Sequence, residues 1–144
     1  MKSVTLRNII ALIALIAVAA LVFIASRGDT TKFEPGSPEA TVQSFLQAMV
    51  DRDNDGALSF FEPGTQCDSS DLDRQYISPD LTVDLIETSI NGDRAQVKIR
   101  TRYSSGDLFG GWSEDHSISL KKIDGEWLIS GTPWPLYECD GVKP

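Results

Sequence analysis

The chain is poor in basic residues, sulfur and histidine. Its 144 residues hold 13 lysines and arginines against 21 aspartates and glutamates, with two cysteines, two methionines and one histidine. A net charge of −8 excludes a general nucleic-acid binder, because phosphate contact needs clustered Lys and Arg. No Walker loop, dinucleotide fingerprint, zinc-ligand spacing or serine-nucleophile elbow occurs, so no cofactor is implied. Internal repeats and low-complexity tracts are missing too. The imbalance of charge is local. Residues 1–36 carry Lys2, Arg7, Arg27 and Lys32 against Asp29 and Glu34, so the remainder, with room for one modest core, is more acidic than the whole.

What is present begins with an apolar run. Residues 9–25, IIALIALIAVAALVFIA, contain no charge. As a helix they would span about 25 Å, and Val4 and Leu6 can lengthen the span toward the ~30 Å of a bilayer core. Arg7 and Arg27 can reach outward from its ends. Lys2, Arg7 and the terminal amine precede the run, which points to a cytoplasmic N-terminus and an exported C-terminal part. The competing reading is a cleaved signal peptide. Its small-x-small site fits poorly, since Ala17-Val18-Ala19 lies inside the run and Phe23 stands two before Ala25. The expected organisation is a cytoplasmic tip and anchor over 1–27, a tether over 28–36 and an exported domain over 37–144. The expected location is the cell membrane, single-pass, with the bilayer as partner through residues 9–25. Cys67 and Cys139 stand far apart and in no metal spacing; in an exported domain they suggest one disulfide, the other possibility being two buried thiols.

Ser37-Pro38-Glu39 is a helix start, with a capping hydroxyl, Pro at the first helical position and an acid in the first turn. Val42, Phe45, Leu46, Met49 and Val50 follow as one stripe, predicting a helix over 38–51. Asp53 or Asn54 caps a second helix carrying Ala57, Leu58, Phe60 and Phe61, stopped by Pro63-Gly64. One or two helical turns are expected within 70–76. The pattern then changes to period two. Residues 81–90 read as a strand whose alternation slips near Leu85-Ile86, as a bulge would make it. Asn91-Gly92 is the expected hairpin turn. Strands follow over 94–103 and 112–122, then an Asp124-Gly125 turn and a last strand over 126–130. Helices followed by an antiparallel meander make an α+β fold, two to three helices packed on a curved four-stranded antiparallel sheet.

The stretch SPEATVQSFLQAMVDRDNDGALSFF (37–61), the long paired strands and the closing KKIDGEWLIS (121–130) resemble the cystatin-like cone of the nuclear transport factor 2-like superfamily. The resemblance covers residues 37–132 and is to small, membrane-anchored exported members. It implies that the inner sheet face lines a pocket, where some members place an acid–base pair. Because the superfamily includes isomerases, dehydratases, binding modules and scaffolds, it does not choose a function.

Three constellations carry possible chemistry. Residues 51–62, DRDNDGALSFFE, satisfy the twelve-residue calcium loop pattern. Asp51, Asp53, Asp55 and Glu62 would supply carboxylates, Ala57 a carbonyl and Ser59 a direct or water-bridged oxygen. Pro63-Gly64 argues against the site, since it stops the exit helix, and the alternative is an ordinary connector whose acids cap the next helix. Tyr103, Glu114 and His116 fall on the inner face by alternation, where a His beside a carboxylate could serve as a general base; the alternative is polar strand ends reaching water. Arg94, Lys98, Arg100 and Arg102 form a basic stripe on the outer face, suited to anionic headgroups or an acidic partner, or else a solvated sheet surface near Asp115 and Lys121. The expectation is a non-enzymatic binding or assembly module of the cell envelope, associating with an envelope protein or a second copy of itself. The alternative is a pocket enzyme of isomerase or dehydratase type.

Overall fold

The computed structural model describes residues 31–78, 80–103, 111–136 and Cys139. The expected anchor at 9–25 lies outside them. Among the described residues no helix is long and apolar enough to cross a membrane. The chain divides into two units, Met1–Lys32 and Phe33–Pro144, and the fold is that of the second.

Helix α1 spans Pro38–Asp51. Ser37 caps it by accepting the Ala40 N–H at 3.2 Å, satisfying one of the amides that a helix start leaves without a partner. Arg52 ends it in the left-handed region (φ 56°). Val42, Phe45 and Met49 are buried along one stripe, but Val50 is 58% exposed. Val50 lies about 80° around the helix from Val42, past the margin of the covered face. Helix α2, Asn54–Leu58, is capped by Asp53, whose carboxylate accepts the Gly56 N–H at 3.0 Å. It is shorter than its apolar content predicts. Phe61 leaves it to form a parallel bridge with Ile129, through Glu62 N–H to the Ile129 carbonyl (2.9 Å) and Ile129 N–H to the Phe60 carbonyl (2.7 Å). Helix α3, Ser69–Asp73, opens on a reciprocal capping box between Asp68 and Asp71.

The sheet runs β1 (Leu81–Asn91), β2 (Arg94–Tyr103), β3 (Trp112–Ile123) and β4 (Glu126–Ser130), all antiparallel and in sequence order. The slip in β1 is a register shift between Leu85 and Glu87, which leaves Ile86 as the extra residue. The first hairpin turn is displaced by one residue from its expected place. Asn91 pairs with Arg94, so the two turn residues are Gly92 and Asp93, with Gly92 at φ 62°. In the second hairpin Asp124 and Gly125 both take positive φ (52° and 92°), as a two-residue primed turn requires.

One sheet face is covered. Ala95, Val97, Ile99 and Thr101 of β2, Ile118 and Leu120 of β3, and Trp127 and Ile129 of β4 are buried on it. Phe45 meets Phe61 edge to face, with centroids 5.5 Å apart, and Thr41 Oγ1 donates to the Trp127 carbonyl at 3.2 Å. After β4 the chain turns back and buries Pro133, Trp134, Pro135 and Leu136. Cys67 and Cys139 are joined by a disulfide, Cα atoms 4.8 Å apart, across 72 positions of sequence. The architecture is α+β, with three short helices and a four-stranded antiparallel sheet among the described residues.

Candidate functional site

The register settles which side chains share a face. Tyr103 pairs with Trp112, Thr101 with Glu114 and Ile99 with His116, so Tyr103, Glu114 and His116 belong to the side that carries the core. Cover thins along β3: Leu120 and Ile118 are sealed, the His116 side chain is 13% exposed and that of Glu114 is 46% exposed. His116 Nε2 lies 3.5 Å from Glu114 Oε2 and 3.4 Å from Thr101 Oγ1. Its ring stacks on Trp134, centroids 5.3 Å apart and planes 25° from parallel. Tyr103 is engaged differently, stacked on Trp112 at 4.6 Å with planes within 11°. The structure thus brings Glu114 and His116 together, adds Thr101 and Trp134, and commits Tyr103 to an aromatic pair at the strand ends. Trp134 was not legible as a partner, because it reaches His116 through an irregular segment with no periodic signal.

The acidic loop is wound up as helix ends. Asp51 closes α1 and accepts both Oδ contacts from Gln47 Nε2 at 3.0 Å. Asp53 is turned onto the Gly56 amide, and the space a Gly56 side chain would need is filled by that carboxylate, 2.1 Å from an ideal Cβ. Asn54 Nδ2 donates to Asp73 at 2.6 Å, tying the connector to α3. Asp51, Asp53, Asp55 and Glu62 are not drawn around a common point, and among the described residues no group of three or more His, Cys, Asp or Glu is placed to hold a metal ion.

The basic stripe is unevenly matched by acids. Asp115 on β3 stands opposite Arg100 and receives its Nε at 2.6 Å and Nη2 at 3.0 Å; Lys98 Nζ lies 3.4 Å from the same carboxylate. Asp84 on β1 takes Arg102 Nε at 2.7 Å and Nη2 at 3.0 Å. Three of the four cations are therefore paired within the sheet, and only Arg94 has no carboxylate partner among the described residues. The hydrogen bond from Arg100, aided by the charges of Arg100 and Lys98, outweighs partial burial and holds the Asp115 carboxyl at about 2, below its ordinary 3.8. The sign follows from linkage. A carboxyl with a lowered folded-state pKa contributes stability that is complete above the unfolded value and is lost as pH falls through the folded one. Asp115→Asn should therefore melt in less urea than the wild type at pH 5, with the gap closing between pH 4 and pH 2. A gap that stayed constant over that range would show the pair to be electrostatically idle.

No family model and no curated protein matches the chain. Solved structures do. It is similar to a SEC-C motif containing protein from Rhodopseudomonas palustris, with 22% identity over 67% of this chain and 77% of that one, at a TM-score of 0.48. It is similar to an NTF-2 like protein of unknown function from Shewanella oneidensis MR-1, with 15% identity over 62% and 88%, at 0.42. A ketosteroid isomerase-like protein from Erwinia carotovora atroseptica matches with 17% identity over 63% and 86%, also at 0.42.

Proposed function

We propose that the protein is a non-enzymatic binding or assembly module of the cell envelope, a small NTF2-like cone held at the outer side of the membrane by residues 9–25, with an envelope protein or a second copy as partner. The observation that carries the exported placement is the Cys67–Cys139 cross-link, a bond that persists in oxidising compartments. The lack of catalytic work is supported by His116, which is packed between Thr101 and the Trp134 ring, while Glu114 stands in water that screens the pair. A specific observation favours a second reading, a pocket enzyme of isomerase or dehydratase type. His116 Nε2 within 3.5 Å of Glu114 Oε2 is the kind of contact from which a general base is built.

One experiment separates the two readings. Full-length wild type and His116→Ala, expressed in the native host, are fractionated and probed by external protease. Both should stay in carbonate-washed membranes, be digested only from outside, and retain residues 9–25 by N-terminal sequencing. The variant should lose about 1 kcal/mol from the missing ring stack, a melting shift of about 4 °C, and support growth under envelope stress as the wild type does. Mature protein beginning near residue 26 would remove the anchor. A folded, membrane-bound variant without cellular function would replace the module with the enzyme.

A further inference from the structure

The Arg94 end of the stripe differs from the rest. Arg94 stands directly opposite Lys121 in the β2–β3 ladder, and neither has a carboxylate partner among the described residues. Like charges directly opposite each other in a sheet are destabilising, and on so acidic a chain an unneutralised pair is an anomaly of placement. The two cations border a hollow of about 520 Å³ on the outer sheet face, within the size range of small-molecule sites. The register arranges its walls in two rows, with Ala95 and Leu120 between them. The first row is Asn91, Arg94 and Lys121. The second, two residues along each strand, is Ser89, Gln96, Ser119 and Ser130, all hydroxyls and an amide. Glu62 closes the hollow beyond Ser130, at the far side from Arg94.

We infer that this hollow binds the phosphate ester of a polyhydroxylated alcohol. The Arg94 fork and the Lys121 ammonium take the phosphate oxygens. The neutral row, about 7 Å along the strands, takes the hydroxyls of the body, and Glu62 accepts from the outermost of them. Glu62 also sets the charge that the hollow tolerates, since a carboxylate on the rim opposes each added negative charge on the ligand. The same chemistry occurs in a glycerophosphate lipid headgroup and in a soluble polyol phosphate. The inference concerns the outer sheet face and does not depend on the role of His116 or on the anchor.

The test is titration of the full chain in detergent with glycerol 3-phosphate, and flotation of the same protein with vesicles of phosphatidylglycerol against phosphatidylcholine. Arg94→Gln and Lys121→Gln should each weaken binding about tenfold. Arg100→Gln, which removes the same charge from a cation already held by Asp115, should leave binding within about twofold. Glu62→Gln should tighten inorganic phosphate several-fold, which loss of a merely structural carboxylate would not do. Binding of glycerol 3-phosphate identifies a soluble ligand, and binding confined to phosphatidylglycerol vesicles identifies the headgroup. Equal losses in Arg94→Gln and Arg100→Gln would reduce the effect to diffuse charge and overturn the inference, as would failure of both probes.

Discussion

Replacing Cys67 and Cys139 together by serine should lower the melting temperature of the domain by about 15 °C. The bond closes a loop across 72 positions, for which the loss of unfolded-chain entropy corresponds to about 4 kcal/mol. For a domain of this size 1 kcal/mol moves the midpoint by about 4 °C. The native state also depends on where the bond lies. Cys139 ends the segment that buries Trp134 and Leu136 against the sheet, and Cys67 is buried just after the bridge of Phe61 to Ile129. Without the link the C-terminal segment is tied only by its own packing, so tryptophan fluorescence should change before the far-ultraviolet signal of the sheet. Reduced wild type and the double variant should melt together. A shift below about 5 °C would show that the core holds that segment unaided.

Phe45→Ala should cost about 4 kcal/mol, measured by urea unfolding. Phe45 is fully buried in the centre of α1, its ring edge-on to Phe61, and α1 lies across β4, β2 and β1. Truncation therefore opens a cavity at the point where helix, bridge and sheet meet. The matched control is Val50→Ala, five residues later on the same helix but facing water, which should stay within about 0.5 kcal/mol. Since whole domains of this kind are stable by about 5–15 kcal/mol, the first substitution removes a large share and the second almost none. A cost below about 1.5 kcal/mol for Phe45→Ala would mean that α1 is docked by its flanks rather than by its centre.

Local chemistry makes most of the fold legible in the sequence. Ser37-Pro38-Glu39 specifies a helix start, because a hydroxyl before a proline satisfies an amide where no intrahelical acceptor exists. The alternation of β2 specifies its faces, and the break in rhythm at Leu85-Ile86 marks the bulge. What escaped were contacts made at a distance. Phe61 reads as the tail of a helix because a two-residue bridge has no period, and only the unpaired side of β4 gives it a place. Asp115 was legible as a neighbour of the stripe, but its direct pairing with Arg100 depends on a register set across a loop whose length does not determine pairing. Asp84 reaches Arg102 diagonally rather than its own cross-strand partner Arg100, which alternation alone cannot foresee. At the candidate site the shared face of Glu114 and His116 was legible, while the stacking of Trp134 on His116 was not.

The extra residue in β1 has a consequence beyond its own strand. Among the described strands β1 lies at the sheet's margin, eleven residues long, so its outward amides and carbonyls could act as a template for another chain. Ile86 interrupts that template midway. A foreign strand laid along Leu81–Leu85 would fall out of step by Glu87, and the local twist would turn the second half away from it. Asp84, held by Arg102, and the exposed Glu87 flank the break, so the margin carries charged side chains at the point where pairing would slip. The one-residue irregularity thus makes this margin a poor template for a second strand.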